Sequence, residues 1–166
     1  MKHLLLTLVF LLSINLSTAQ SPKGKSVGVG VVLNDPTGAT LKYWTGNSEA
    51  YNFYIGNSYF GDLTIGADYM QHYNAFNSTM FNVHLAGGVL VGLGNGNSGW
   101  IRKGKNDRFY YRDDKTFGLG ARGMLGVNFV PRNSPFEFSF QIGPLVGLTP
   151  NLGFDFMSDF TIRFYP

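Results

Sequence analysis

The residues able to do chemistry in this chain are few. It has 166 residues with three histidines, ten carboxylates and no cysteine. Without cysteine there is no thiol nucleophile, no disulfide and no thiolate metal site. His84 is the natural place to look for a general base. It falls on the polar side of an alternating segment, and Glu137 and Ser139 fall on the polar side of a later one. A histidine, a serine and a carboxylate are the parts of a nucleophilic set, provided they meet. The competing reading is a histidine inside a fold, hydrogen-bonded to an interior acid. His72 and His84 stand in different segments, far apart and without ligand spacing, so the sequence names no metal site and no cofactor. Two matches to G-x-G-x-x-G run from Gly94 to Gly99 and from Gly118 to Gly123. A dinucleotide fingerprint opens a helix and has an acidic residue about 20 positions on. The first match leads into a basic loop and the second into more strand, so both are read as turn or interior glycines.

The elements that must position these residues are strands. From Gly153 to Pro166 the chain reads GFDFMSDFTIRFYP. Phe154, Phe156, Phe160, Ile162 and Phe164 fall on one face; Asp155, Met157, Asp159, Thr161 and Arg163 fall on the other. A period of two is the strand signature, because successive side chains point to opposite faces. The same alternation predicts strands over 26–33, 39–45, 49–57, 61–71, 79–93, 116–130 and 135–148. Asn34-Asp35-Pro36-Thr37-Gly38 carries turn chemistry, with proline fixing φ and Gly38 able to take a positive one. Pro144 inside the seventh strand predicts a bulge or a weakened ladder. The longest connection is Gly94 to Lys115. Eight strands joined by short links predict an all-β, eight-stranded antiparallel up-and-down barrel in one domain.

The N-terminus gives an address. Met1-Lys2-His3 is a short positive region, Leu4 to Leu16 is mostly apolar, and Ser17-Thr18-Ala19 supplies small residues. This is the pattern of a secretory signal peptide over 1–19, cleaved after Ala19, with the barrel domain over 20–166. The net charge of +3 drops to +2 without Lys2, which excludes nucleic acid as the expected partner.

Alternation alone does not say which face meets water. A soluble lipocalin-like carrier would turn the apolar face inward; a membrane barrel inverts it. The polar face is rich in glycine, with Gly28, Gly30, Gly66, Gly88, Gly118, Gly120 and Gly126 among others. Small residues suit the narrow interior of an eight-stranded barrel, and rows of Phe and Tyr do not. The polar-face charges also balance locally. Lys42, Arg122 and Arg163 stand against Asp62, Asp68, Glu137, Asp155 and Asp159. The expectation is therefore a transmembrane barrel whose lumen holds a polar network of Lys42, Asp62, Asp68, His84, Arg122, Glu137, Asp159 and Arg163.

The segments Gly28 to Trp44 (GVGVVLNDPTGATLKYW) and Ala67 to His72 (ADYMQH) carry a family likeness. The chain from Ser26 to Pro166 resembles the small eight-stranded outer-membrane barrels of the OmpA transmembrane-domain and OmpX type. More narrowly it is similar to a family of such barrels in spirochaetes and other double-membrane bacteria, where a P-T-G turn precedes a K-Y-W strand and an A-D-Y segment follows. The resemblance implies a bacterial outer-membrane location, with outer-membrane lipid as the surroundings. Some eight-stranded outer-membrane barrels are enzymes acting on lipid A or phospholipid through a His-Ser-acid set, which keeps His84 in view. Many such barrels end on an aromatic residue, whereas this chain ends Phe164-Tyr165-Pro166.

The loop supplies the last candidate. Trp100, Arg102, Lys103, Lys105, Arg108, Tyr110 and Tyr111 interleave cations with aromatics. That mixture suits an anionic partner such as lipopolysaccharide phosphates, an acidic glycan, or an acidic face of a host or surface protein. It equally suits an aromatic girdle with cations beside lipid headgroups. The functional expectation is a non-enzymatic barrel acting structurally or adhesively through 94–115. A lipid-modifying enzyme and a soluble lipid carrier are the alternatives.

Overall fold

The structure is a computed structural model that describes residues 24–74, 78, 80–94, 102–103, 107–108, 117–149 and 152–166. The expected signal peptide lies outside the described residues. The described residues form ten strands: β1 (Val27–Asn34), β2 (Thr37–Trp44), β3 (Glu49–Ser58), β4 (Gly61–Asn74), β5 (Phe81–Leu93), β6 (Arg102–Lys103), β7 (Asp107–Arg108), β8 (Gly118–Phe129), β9 (Phe136–Thr149) and β10 (Gly153–Phe164).

Eight of them close a barrel in the order β1-β10-β9-β8-β5-β4-β3-β2, and the other two, β6 and β7, pair as a separate ribbon. Every barrel pairing is antiparallel between neighbours, with β10 returning to β1 from Val29↔Phe164 to Asn34↔Asp159. The meander follows from the sequence. Alternating segments separated by short polar turns can reach only their neighbours, and closure removes the two free edges.

The pleat decides what each face does. Along β10, Met157, Asp159, Thr161 and Arg163 are buried while Phe154, Phe156, Phe160 and Phe164 are exposed. The same rule holds around the barrel, so the apolar face points outward and the polar face inward. Val29, Val31, Leu41, Phe53, Ile55, Ile65, Val89, Leu125, Phe140 and Ile142 are all exposed. The interior is narrow, and glycine makes room in it. Gly28 lies under the Tyr165 ring, Gly66 under Tyr54 and Gly126 under His84, each too close for a Cβ atom.

Four local expectations are changed or narrowed. The positive φ of the first turn belongs to Asn34, at 87°, whereas Gly38 lies inside β2 against the Ile55 carbonyl. The fourth strand runs to Asn74 rather than ending at Gln71, so His72 is strand and not turn. Of the two expectations at Pro144, the weakened ladder forms and the bulge does not. The β8–β9 register is the same on both sides of it, from Arg122↔Leu145 to Leu125↔Ile142, and pairing lapses only between them. The β8–β9 register shift comes instead at Leu119/Gly120.

The fourth change concerns Asp62, which is exposed rather than luminal. Ser58 pairs with Gly61 and Gly56 with Thr64, so Asp62 and Leu63 together face the single residue Asn57. A bulge adds one residue and breaks the two-residue period. Both bulged side chains therefore turn outward, and the Asn57 side chain donates to the Asp62 carbonyl at 3.0 Å.

Candidate functional site

The lumen is a closed polar network. At its centre is Glu137 on β9, fully buried. The Lys42 ammonium on β2 donates to both of its oxygens, at 3.0 and 3.2 Å. Arg163 on β10 donates from Nη1 to Oε1 at 2.8 Å, and the Tyr165 hydroxyl donates to Oε2 at 2.7 Å. The Tyr165 oxygen in turn accepts from Trp44 Nε1 at 3.0 Å. Lys42 lies 4.3 Å from the centre of the Trp44 ring, a cation–π contact.

A second cluster forms around Asp68 on β4. Arg122 on β8 grips it in a fork, Nε to Oδ1 at 2.9 Å and Nη2 to Oδ2 at 2.6 Å. The guanidinium also sits 4.2 Å from the Tyr54 ring centre, and its Nη1 is 3.8 Å from Asp159 Oδ2. Asp159 accepts from Gln141 Nε2 at 2.7 Å and from the Thr161 hydroxyl at 3.2 Å. Asn52 joins the clusters, accepting from Arg163 at 2.9 Å and donating to Asp68 at 3.2 Å. Three cations (Lys42, Arg122, Arg163) face three carboxylates (Asp68, Glu137, Asp159), so these interior charges sum to zero. Buried charges persist only when paired and hydrogen-bonded, and this arrangement meets that demand.

The histidines join the network as well. Lys42 Nζ donates to His72 Nε2 at 2.9 Å, so the ring proton sits on Nδ1, facing the Ser48 carbonyl at 3.2 Å. His72 and His84, expected to lie far apart, are cross-strand partners with ring centres 5.3 Å apart. The longer β4 hairpin brings them together. His84 donates from Nε2 to Gln141 Oε1 at 3.1 Å rather than meeting a serine or an acid. Ser139 is buried one register step away, beside Asn128. Among the described residues no group of three or more His, Cys, Asp or Glu side chains is placed to hold a metal.

Of the eight luminal residues expected, seven are buried in the lumen and Asp62 is not. The reading missed Asn52, His72, Gln141, Tyr165, Trp44 and Thr40, which complete the network. Most of them lie at even spacing on inward faces already identified, and parity could have found them. Polar but uncharged side chains drew no notice beside the ions.

In the loop, β6 and β7 pair antiparallel, Arg102 with Arg108 and Lys103 with Asp107. This puts three of the four expected cations on one short ribbon. Trp100, Lys105, Tyr110 and Tyr111 lie outside the described residues. No known family model, curated protein or solved structure matches this chain.

Proposed function

We propose that this chain is a small bacterial outer-membrane β-barrel of the OmpA transmembrane-domain and OmpX type. In this reading it is non-enzymatic, its lumen is plugged by side chains, and it acts structurally or adhesively through the loop 94–115. Export would use the signal peptide ending at Ala19. One observation carries the reading: the barrel is inverted, with ion pairs inside and Phe, Ile, Leu and Val outside. Water would penalise such an exterior, and a bilayer would not. The apolar exterior on β10 runs from Phe154 to Phe164. Ten residue steps at ~3.3 Å, tilted by ~40°, span roughly 25 Å, the height of an outer-membrane apolar band.

The same lumen argues against the alternatives. A lipid carrier needs an apolar chamber, and the middle of this interior is occupied by a network of charged and polar side chains. A hydrolase needs its histidine next to a nucleophile and open to lipid, whereas His84 is sealed and bonded to Gln141. Eight strands also leave no aqueous channel of useful width.

The test is gel migration of the mature chain folded in detergent, boiled against unboiled, with circular dichroism on the same sample. A heat-dependent shift with a β spectrum is the expected result. Folding without detergent, with no shift, would overturn the membrane reading.

A further inference from the structure

At the end of the barrel away from the termini, one turn folds a side chain into the interior. The turn is Tyr59-Phe60, between β3 and β4. Tyr59 is exposed, but Phe60 is only 4% exposed. Its ring lies inside the barrel against Gly92 of β5 and Gly120 of β8, the two strands that follow β4 around the wall. A Cβ at these glycines would stand 2.8 and 3.1 Å from the ring. Leu90 and Leu145 are buried in the same apolar cluster, above the charged network.

One polar group holds this turn from the neighbouring turn. Asp35 lies between β1 and β2 and is 5% exposed. Its Oδ1 accepts the Tyr59 amide at 3.3 Å, and the Ser58 hydroxyl is hydrogen-bonded to the same carboxyl. Ser58 Oγ accepts the Phe60 amide at 3.0 Å. The Asp35 turn is itself fixed to β10. The Asp35 amide donates to the Ser158 carbonyl at 3.2 Å, and the Asn34 side chain reaches that carbonyl at 2.7 Å.

We propose that the Tyr59-Phe60 turn is a stopper on the lumen and that Asp35 sets its grip, sealing it when neutral and loosening it when charged. The inference stands on the barrel fold and needs no membrane. The Asp35 carboxyl is nearly out of water and has no cation in ion-pair contact among the described residues. The titratable and charged groups facing it are the Tyr54 phenol of β3, Asp155 of β10, which repels its charge, and Arg122 of β8, which is already forked onto Asp68. Burial is the main effect and pushes the Asp35 pKa up, helped by Asp155. The Ser58 and Tyr59 hydrogen bonds and Arg122 oppose the rise without reversing it. A neutral carboxyl keeps both contacts in weaker form, its carbonyl oxygen accepting from Tyr59 and its hydroxyl able to donate to Ser58, and is spared the cost of burying a charge.

The sign follows from linkage. With the stopper open, Asp35 is hydrated and titrates near its ordinary value of ~3.9. With it closed, Asp35 titrates higher. The preference for the closed turn is therefore greatest below the ordinary value and falls as pH rises through the closed-state value. Acid tightens the stopper.

The experiment is hydrogen exchange of the Tyr59, Phe60 and Gly61 amides in the full mature chain folded in detergent. It is run from pH 3 to pH 7 and corrected for intrinsic exchange, with the Leu125 and Val127 amides as an internal reference. Protection of the turn should fall with rising pH, by about tenfold for each pH unit separating the two titrations. The reference amides should not follow. Asp35→Asn, which keeps one acceptor and one donor, should hold the acid level of protection at every pH. Asp155→Asn should shrink the fall in an otherwise native barrel, and this variant and the wild-type profile serve if Asp35→Asn does not fold. A flat wild-type profile, or an unchanged slope in Asp35→Asn, would overturn the proposal.

Discussion

Glu137→Gln is the most direct challenge to the lumen described above. The substitution keeps the volume and removes one charge. Wild-type Glu137 is fully buried and accepts from Lys42, Arg163 and Tyr165 at 2.7–3.2 Å. The amide offers one oxygen to these donors and turns two N–H groups towards them. The interior then carries one uncompensated positive charge. Breaking a buried ion pair by removing one partner costs about 3–5 kcal/mol. With two cations stranded, we expect about 4 kcal/mol. The assay is urea unfolding in lipid vesicles, followed through Trp44, which touches both Lys42 and Tyr165. For a slope of ~2 kcal/mol per molar, the midpoint should drop by about 2 M. Adding Lys42→Met restores neutrality, so the double variant should recover about 1–3 kcal/mol relative to additivity. A loss below about 1 kcal/mol, or strict additivity, would mean that water reaches these charges and that the lumen is not sealed.

Two neighbouring glycines offer a sharper geometric test. Gly143→Ala would drive its Cβ into the Gly123 carbonyl, whereas Gly123→Ala points into open space outside the barrel. The first should lower stability by about 2 kcal/mol or block folding, and the second should stay within about 0.5 kcal/mol, read in the same urea assay. Neutralising Arg102, Lys103, Lys105 and Arg108 together should weaken binding to lipopolysaccharide-bearing vesicles, with the difference shrinking as salt rises. Equal binding by the wild type and the variant would remove the loop from the functional reading. His84→Ala should leave the gel shift of the folded barrel and the membrane lipid composition unchanged; a lost lipid modification with folding intact would revive the enzyme.

The sequence carried the barrel because one rule, period two, governs every wall position. Parity put Glu137, Arg122 and Arg163 on the polar face, and the glycine content and charge balance of that face turned it inward. Parity failed where the period was broken or the strand end misjudged. Counting places Asp62 inward, and a single extra residue opposite Asn57 turns it outward. Counting ends the fourth strand at Gln71 because the polar residues from His72 onward look like a turn, although pairing continues to Asn74↔Asn82. Partner choice was not legible at all. That Glu137 takes Lys42 and Arg163 while Asp68 takes Arg122 depends on barrel stagger, which brings residues far apart in sequence to one height.

The closing seam shows why these partners matter. β1 supplies the lumen with Gly28, Gly30 and Val32 and no charge. It meets β10 through a backbone ladder of six paired positions. Side chains from the flanking strands reach past it: Lys42 of β2 to Glu137 of β9, and Arg163 of β10 to Asn52 of β3. The glycines of β1 leave the space that lets these long side chains cross. Strand β1 thus joins the ends of the sheet by its backbone, while one ion pair and one charged hydrogen bond hold together the strands on either side of it. Such contacts form only when first and last strands are in place. In this chain the polar interior therefore favours the closed barrel over an open sheet, because opening the seam would separate Glu137 from Lys42 and Arg163 from Asn52 while their charges were still poorly hydrated.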